Sequence, residues 1–165
     1  MSLLPIEKGP QNKILRTESK PVIKIDKTLK KLIKDMEDTM FSLNGVGIAA
    51  PQVGVNVRFA LARLNVDTKN ELIVVLINPV IFNESSKMVD MEEGCLSLPG
   101  KWGPTPRHES LTVIFETIKG DKQTLLLEGF NARVIQHEVD HLNGILIVDY
   151  AVTSKFSRSS PKLLA

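Results

Sequence analysis

Apolar residues recur at three- and four-residue steps through Leu29, Leu32, Ile33, Met36, Met40 and Leu43, with Lys30, Lys31, Lys34 and Asp35 between them. That spacing predicts an N-terminal amphipathic helix of about four turns. Asp26 suits its N-cap, and Asn44-Gly45 suits its stop. The pattern then changes. Residues 55–64, 72–77 and 111–118 are rich in β-branched and apolar side chains and predict strands. Gly120-Asp121, followed by residues 124–127, predicts a hairpin, and polar loops are expected at 65–70 and 83–88. Residues 1–25 are broken by Pro5, Gly9, Pro10 and Pro21 and read as irregular. A second helix is expected over 129–142, stopped by Asn143-Gly144. One face of it carries Phe130, Val134, His137 and His141; another carries Ala132, Ile135, Val139 and Leu142. A helix apolar around most of its circumference belongs inside, enclosed by sheets.

The chain has 165 residues and 42% hydrophobic content, enough for one domain with its own core. Residues 1–150 are expected to form it, with a Ser- and Lys-rich tail over 151–165 that frays. A formal charge of +2 gives no basis for DNA or an anionic membrane as partner. The longest aliphatic run is residues 72–77, far below the ~18 a membrane span needs. No basic stretch followed by an apolar one opens the chain, so no secretory signal is expected. One cysteine, Cys95, fits a reducing compartment, and the expectation is a cytoplasmic protein.

The chemistry concentrates in His137-Glu138-Val139-Asp140-His141. Residues four apart share a helix face, so His137 and His141 can aim at one metal ion, with Glu138 to one side. A catalytic site usually has three protein ligands. The third is open between Cys95 and His108, the only other histidine. Cys95 lies in Glu93-Gly94-Cys95-Leu96-Ser97, before Pro99-Gly100, which suggests a shaped turn; taken alone it reads equally as a small core residue. The run Gly45-Val46-Gly47-Ile48-Ala49-Ala50-Pro51-Gln52 permits close backbone approach, or a tight helix-to-strand junction.

Together, these three segments resemble the three signature motifs of the peptide deformylase family, G-x-G-x-A-A-x-Q, E-G-C-L-S and Q-H-E-x-D-H-L, complete and in order. Leu15-Arg16, Pro21-Val22, Ile77-Asn78-Pro79 and Pro106-Arg107 resemble the family's flanks. The resemblance covers roughly residues 3–150. It implies an α+β fold with antiparallel sheets packed around the central helix that bears His137 and His141. It implies one divalent ion per chain held by Cys95, His137 and His141, iron(II) physiologically and zinc, nickel or cobalt as substitutes. Glu138 is then the general base toward the water on that ion. The Gln52 amide and the Leu96 backbone N–H stabilise charge on the formyl oxygen. The implied substrate is an N-formyl-methionyl peptide in extended form, pairing with backbone near Gly47. Its methionine side chain enters a slot near Val46, Gly94, Phe130, Val134 and His137, with Trp102 at the rim. A monomer is expected. The chain ends about fifteen residues after Tyr150, where many bacterial members carry a longer C-terminal helix; only transient ribosome contact by the basic tail is expected. Glu93 and Arg107 are candidates for an ion pair bracing the Cys95 loop.

A metalloprotease shares H-E-x-x-H but takes Glu or His as third ligand. A deformylase-like binding protein without activity would not need Glu138 and Gln52 intact.

Overall fold

The computed structural model describes residues 3–150. The tail expected to fray, 151–165, lies outside the described residues. Helix α1 spans Lys27–Ser42, and the Asp26 side chain caps it by accepting from Leu29 N–H. Its stripe of Leu29, Ile33, Met36 and Met40 is buried, while the lysines between stay out. Among the described residues seven strands follow: β1 Gly47–Ala49, β2 Phe59–Leu64, β3 Leu72–Phe82, β4 Met88–Gly94, β5 Trp102–His108, β6 Ser110–Glu116 and β7 Lys122–Glu128. Helix α2 spans Gly129–Leu142.

The strands form two antiparallel sheets, one ordered β1-β2-β3-β6-β7 and the other β4-β5. Alternate residues of a strand face opposite sides of its sheet. Phe59, Leu61 and Ile77 pack with α1, whereas Ala62, Leu64, Val74 and Leu76 pack with Ala132, Val134, Ile135 and Val139 of α2. The sheet is therefore covered on both faces where β2 and β3 pair, which is why those strands read as continuous apolar runs rather than alternating ones.

The structure departs from the expected boundaries in several places; β6, for one, ends at Glu116 and leaves residues 117–118 to the turn. Residues 55–57 make turn-like backbone bonds, and β2 begins at Phe59. Strand β3 continues past Ile77 to Phe82 through an irregularity between Ile77 and Val80. There Asn78 takes a positive φ and its side chain ties down Val22. The β4-β5 hairpin, paired from Met88↔His108 to Gly94↔Trp102, was not anticipated at all. Pro104 and Pro106 argue against a strand, but a two-stranded sheet has only edges, where a missing N–H is tolerated.

Candidate active site

Three elements converge at the inner end of the β4-β5 hairpin. Helix α2 brings His137, Glu138 and His141; the turn after β4 brings Cys95, Leu96 and Ser97; the 3-10 turn Ala50–Val53 after β1 brings Gln52. The Cys95 turn is closed by Leu98 N–H on Cys95 O at 3.0 Å. Donor atoms of Cys95, His137 and His141 lie within 4.8 Å of one another, and all three residues are buried. Cys95 Sγ is 3.2 Å from His141 Nε2. The two imidazoles meet edge-on, centroids 5.0 Å apart. His108, the other candidate third donor, points elsewhere, with Nδ1 2.7 Å from Ser85 O.

These residues fit a divalent ion. His137 donates Nδ1–H to Glu93 Oε2 at 2.9 Å, which leaves its Nε2 buried and, among the described residues, without a partner. A ligating histidine commonly shows that arrangement, its second nitrogen held by a carboxylate. Thiolate and imidazole suit zinc or iron(II). Burial pushes the Cys95 thiol up to about 12, against the opposing pull of the Ser97 N–H. Burial also holds His141 well below its usual range, with His137 adding to the effect. A neutral imidazole is a ready ligand, whereas the thiol needs a cation beside it to ionise.

Glu138 is 0% exposed, and neither carboxylate oxygen has a hydrogen-bond partner among the described residues. Burial, then the charge of Glu93, raises it well above the ordinary carboxylate value. A pairing of Glu138 with Arg133 is not what forms: Arg133 donates to Glu93 Oε1 at 2.6 Å. Backbone crowds Glu138 instead. A Cβ on Gly47 would sit 2.6 Å from its Cδ.

Gln52 accepts from Ala49 N–H through Oε1 at 2.8 Å, so its Nε2 faces the cluster, 3.3 Å from Ser97 Oγ and 3.7 Å from Cys95 Sγ. Beside His137 opens a small cavity lined by Val46, Gly94, Trp102, Phe130 and Val134, together with Glu92, Glu93 and Arg133. Phe130 is 40% exposed and sits at its mouth. Gly94 must be glycine, because a side chain there would overlap the Trp102 ring. Gly47 is not on this cavity; it lies on β1, against Glu138.

The Glu93–Arg107 pair forms, and it is buried: Arg107 Nε and Nη2 grip the two carboxylate oxygens at 3.0 and 2.9 Å, with the side chains 3% and 6% exposed. Burial pushes Glu93 up, but the bonds from His137 and Arg107 outweigh it and hold the carboxyl well below its usual range. Sequence reasoning missed the rest of this network. Arg107 Nη1 also donates to Asp140 Oδ2, and Tyr150 donates to the same oxygen at 2.7 Å. Arg133, one turn before His137 and the one Lys or Arg in α2, was the available signal.

A family model described as polypeptide deformylase matches residues 3–157. Peptide deformylase 1 of Bacillus cereus is 44% identical over 158 residues, which cover 96% of this chain and 95% of that one. A class I type b peptide deformylase from Acinetobacter baumannii bound to Met-Ala-Ser shares the fold with a TM-score of 0.83 at 40% identity, covering 91% of this chain and 99% of that one. A peptide deformylase from Synechococcus elongatus in complex with actinonin gives a TM-score of 0.82 at 39% identity, covering 89% and 78%. Matches of this extent, over a fold that brings a thiol and two imidazoles together beside a carboxylate, establish that the chain belongs to the polypeptide deformylase family of metal-dependent hydrolases.

Proposed function

We propose that this chain removes the formyl group from N-formyl-methionyl peptides, using Cys95, His137 and His141 to hold one divalent ion, iron(II) in the cell. In this reading α2 is the central helix that presents both imidazoles and Glu138. The observation that carries it is the buried thiol–imidazole–imidazole cluster, with His137 Nε2 unpartnered among the described residues, beside an apolar cavity. A bound ion supplies Lewis acidity and lowers the pKa of water at the site.

The chain's own residues do the rest. Glu138, buried beside the cluster with both carboxylate oxygens unpartnered among the described residues, takes a proton from the attacking water and returns it to the amine nitrogen as the C–N bond breaks. The water oxygen ends on the formyl carbon, and the products are formate and a free N-terminus. Negative charge builds on the formyl oxygen. The Gln52 amide, its orientation set by Ala49 N–H, and the Leu96 backbone N–H are the donors for that charge. Val46, Gly94, Trp102, Phe130 and Val134 form the slot for methionine, whose unbranched thioether suits an apolar cavity. Gly47, on edge strand β1, offers backbone for an extended peptide to pair with. The solved relative bound to Met-Ala-Ser supports that class of ligand.

The test is formate release from formyl-Met-Ala-Ser by protein loaded anaerobically with iron(II) or nickel, with metal content measured on the same samples. One ion per chain and turnover are expected. The Cys95→Ser variant should lose both. Stoichiometric metal in Cys95→Ser, or cleavage of internal peptide bonds in unformylated peptides, would overturn the assignment.

A further inference from the structure

Arg133 is a buried cation, 5% exposed, one turn before His137 on α2. Its Nη1 donates to Glu93 Oε1 at 2.6 Å and to Thr105 O at 2.8 Å, and its Nη2 donates to Val89 O at 2.5 Å. Val89 lies on β4 and Thr105 on β5, so one guanidinium straps both strands of the hairpin to the helix. A planar fork of five donors can do this; a single ammonium cannot reach both strands at once.

Glu93, which Arg133 grips by Oε1 and Arg107 by both oxygens, holds His137 Nδ1–H by Oε2. The hairpin has a second tie to α2, through Arg107 and Asp140. Arg133 and Asp140 thus flank His137 along the helix, one on each side. Glu93, Asp140, Arg107 and Arg133 together carry two charges of each sign, so the buried network is balanced internally. Of the two ties, Arg133 alone also lines the side-chain cavity, next to Gly94 and Trp102 at the hairpin's end.

We infer that Arg133 is a positioning residue shared by the two halves of the site: it sets the His137 ring through Glu93, and it fixes the hairpin wall of the cavity by strapping Val89 and Thr105. The inference rests on the functional reading above and adds the residue that couples metal holding to side-chain selection.

The experiment compares Arg133→Met, Arg133→Lys and wild type, with Met36→Ala in the α1 core as a control matched for lost thermal stability. Three quantities are read: zinc affinity by chelator competition, the His137 tautomer in metal-free protein by long-range proton–nitrogen NMR, and kcat and KM on formyl-Met-Ala-Ser. Arg133→Met should lower zinc affinity by roughly 10- to 100-fold, as loss of a group supporting a ligating histidine does. It should also mix the His137 tautomers and raise KM. Arg133→Lys keeps a cation for Glu93 but cannot strap both strands. It should restore the Nδ1–H tautomer and most of the zinc affinity while KM stays raised. Zinc affinity and KM in Arg133→Met no worse than in Met36→Ala would overturn the inference, as would an unchanged tautomer. If Arg133→Met does not fold, a wild-type KM in Arg133→Lys overturns the strap. Failure of wild type to bind zinc would sink the functional reading instead, and the tautomer in metal-free Arg133→Met still decides the role of Arg133.

Discussion

Replacing Gly47 by alanine should damage catalysis by displacing Glu138. A Cβ built on Gly47 runs closest into Glu138 Oε1 and lies 2.6 Å from Cδ and 3.0 Å from Cγ. Carbon atoms in contact prefer about 3.5–4.0 Å, so the overlap is roughly 1 Å. The backbone on each side resists. Gly47 is paired with Ala62 of β2, and α2 is buried along most of its length. The softer partner is the Glu138 side chain, which no hydrogen bond holds among the described residues and which must retreat by roughly 1 Å. A displacement of that size at a reacting group costs on the order of 10² in rate. In barrier height that is about 2.7 kcal/mol. Overpacking of the core should add about 1–3 kcal/mol of lost stability. The assay is kcat and KM on formyl-Met-Ala-Ser, with metal content and Tm on the same preparation. Gly47→Ala should keep its metal, melt a few degrees lower and lose kcat about 100-fold. A wild-type kcat with only KM raised would refute the argument, because the absent side chain at Gly47 would then serve the peptide and not Glu138.

Glu138→Ala should bind metal normally and fold, yet lose deformylation by about 10²–10⁴; loss of metal together with activity would make Glu138 a ligand. Gln52→Leu should lower kcat by about 10²–10³ with little change in KM or metal content, and a raised KM at normal kcat would make Gln52 a simple binding group. Asp149 provides a pH prediction. Burial pushes it up, but Arg16, 2.5 Å away, and the Leu146 N–H outweigh that and lower it. A depressed carboxyl stabilises the fold above its unfolded value and loses that contribution as pH falls through the folded one. Since the pair is partly exposed, Asp149→Asn should cost only about 0.5 kcal/mol at pH 7. Urea titrations of both proteins should show the gap closing below pH 4; a gap that widens in acid contradicts the sign.

Features that depend on near neighbours along the chain were legible in the sequence. The three- and four-residue apolar steps from Leu29 to Leu43 produced α1, down to the Asp26 cap, because helix formation and capping are decided within a turn or two. The same locality put His137 and His141 on one face of α2 with Glu138 beside them. Motif resemblance then singled out Cys95 over His108, which spacing alone had left open, and the fold brings Cys95 to the two histidines. Tertiary structure decided the rest. The β4-β5 hairpin carries two prolines and little apolar alternation, so no local pattern announces it; its partner is α2, reached through Arg107 and Arg133. The burial of Glu93 turned an ordinary-looking charge pair into the support for His137, because Coulomb forces and hydrogen bonds gain strength where water is excluded. The need for glycine at 47 and 94 likewise comes from side chains more than 90 residues away in one case and on the opposite strand in the other. Close approach between distant segments is a property of packing, and only the folded chain contains it.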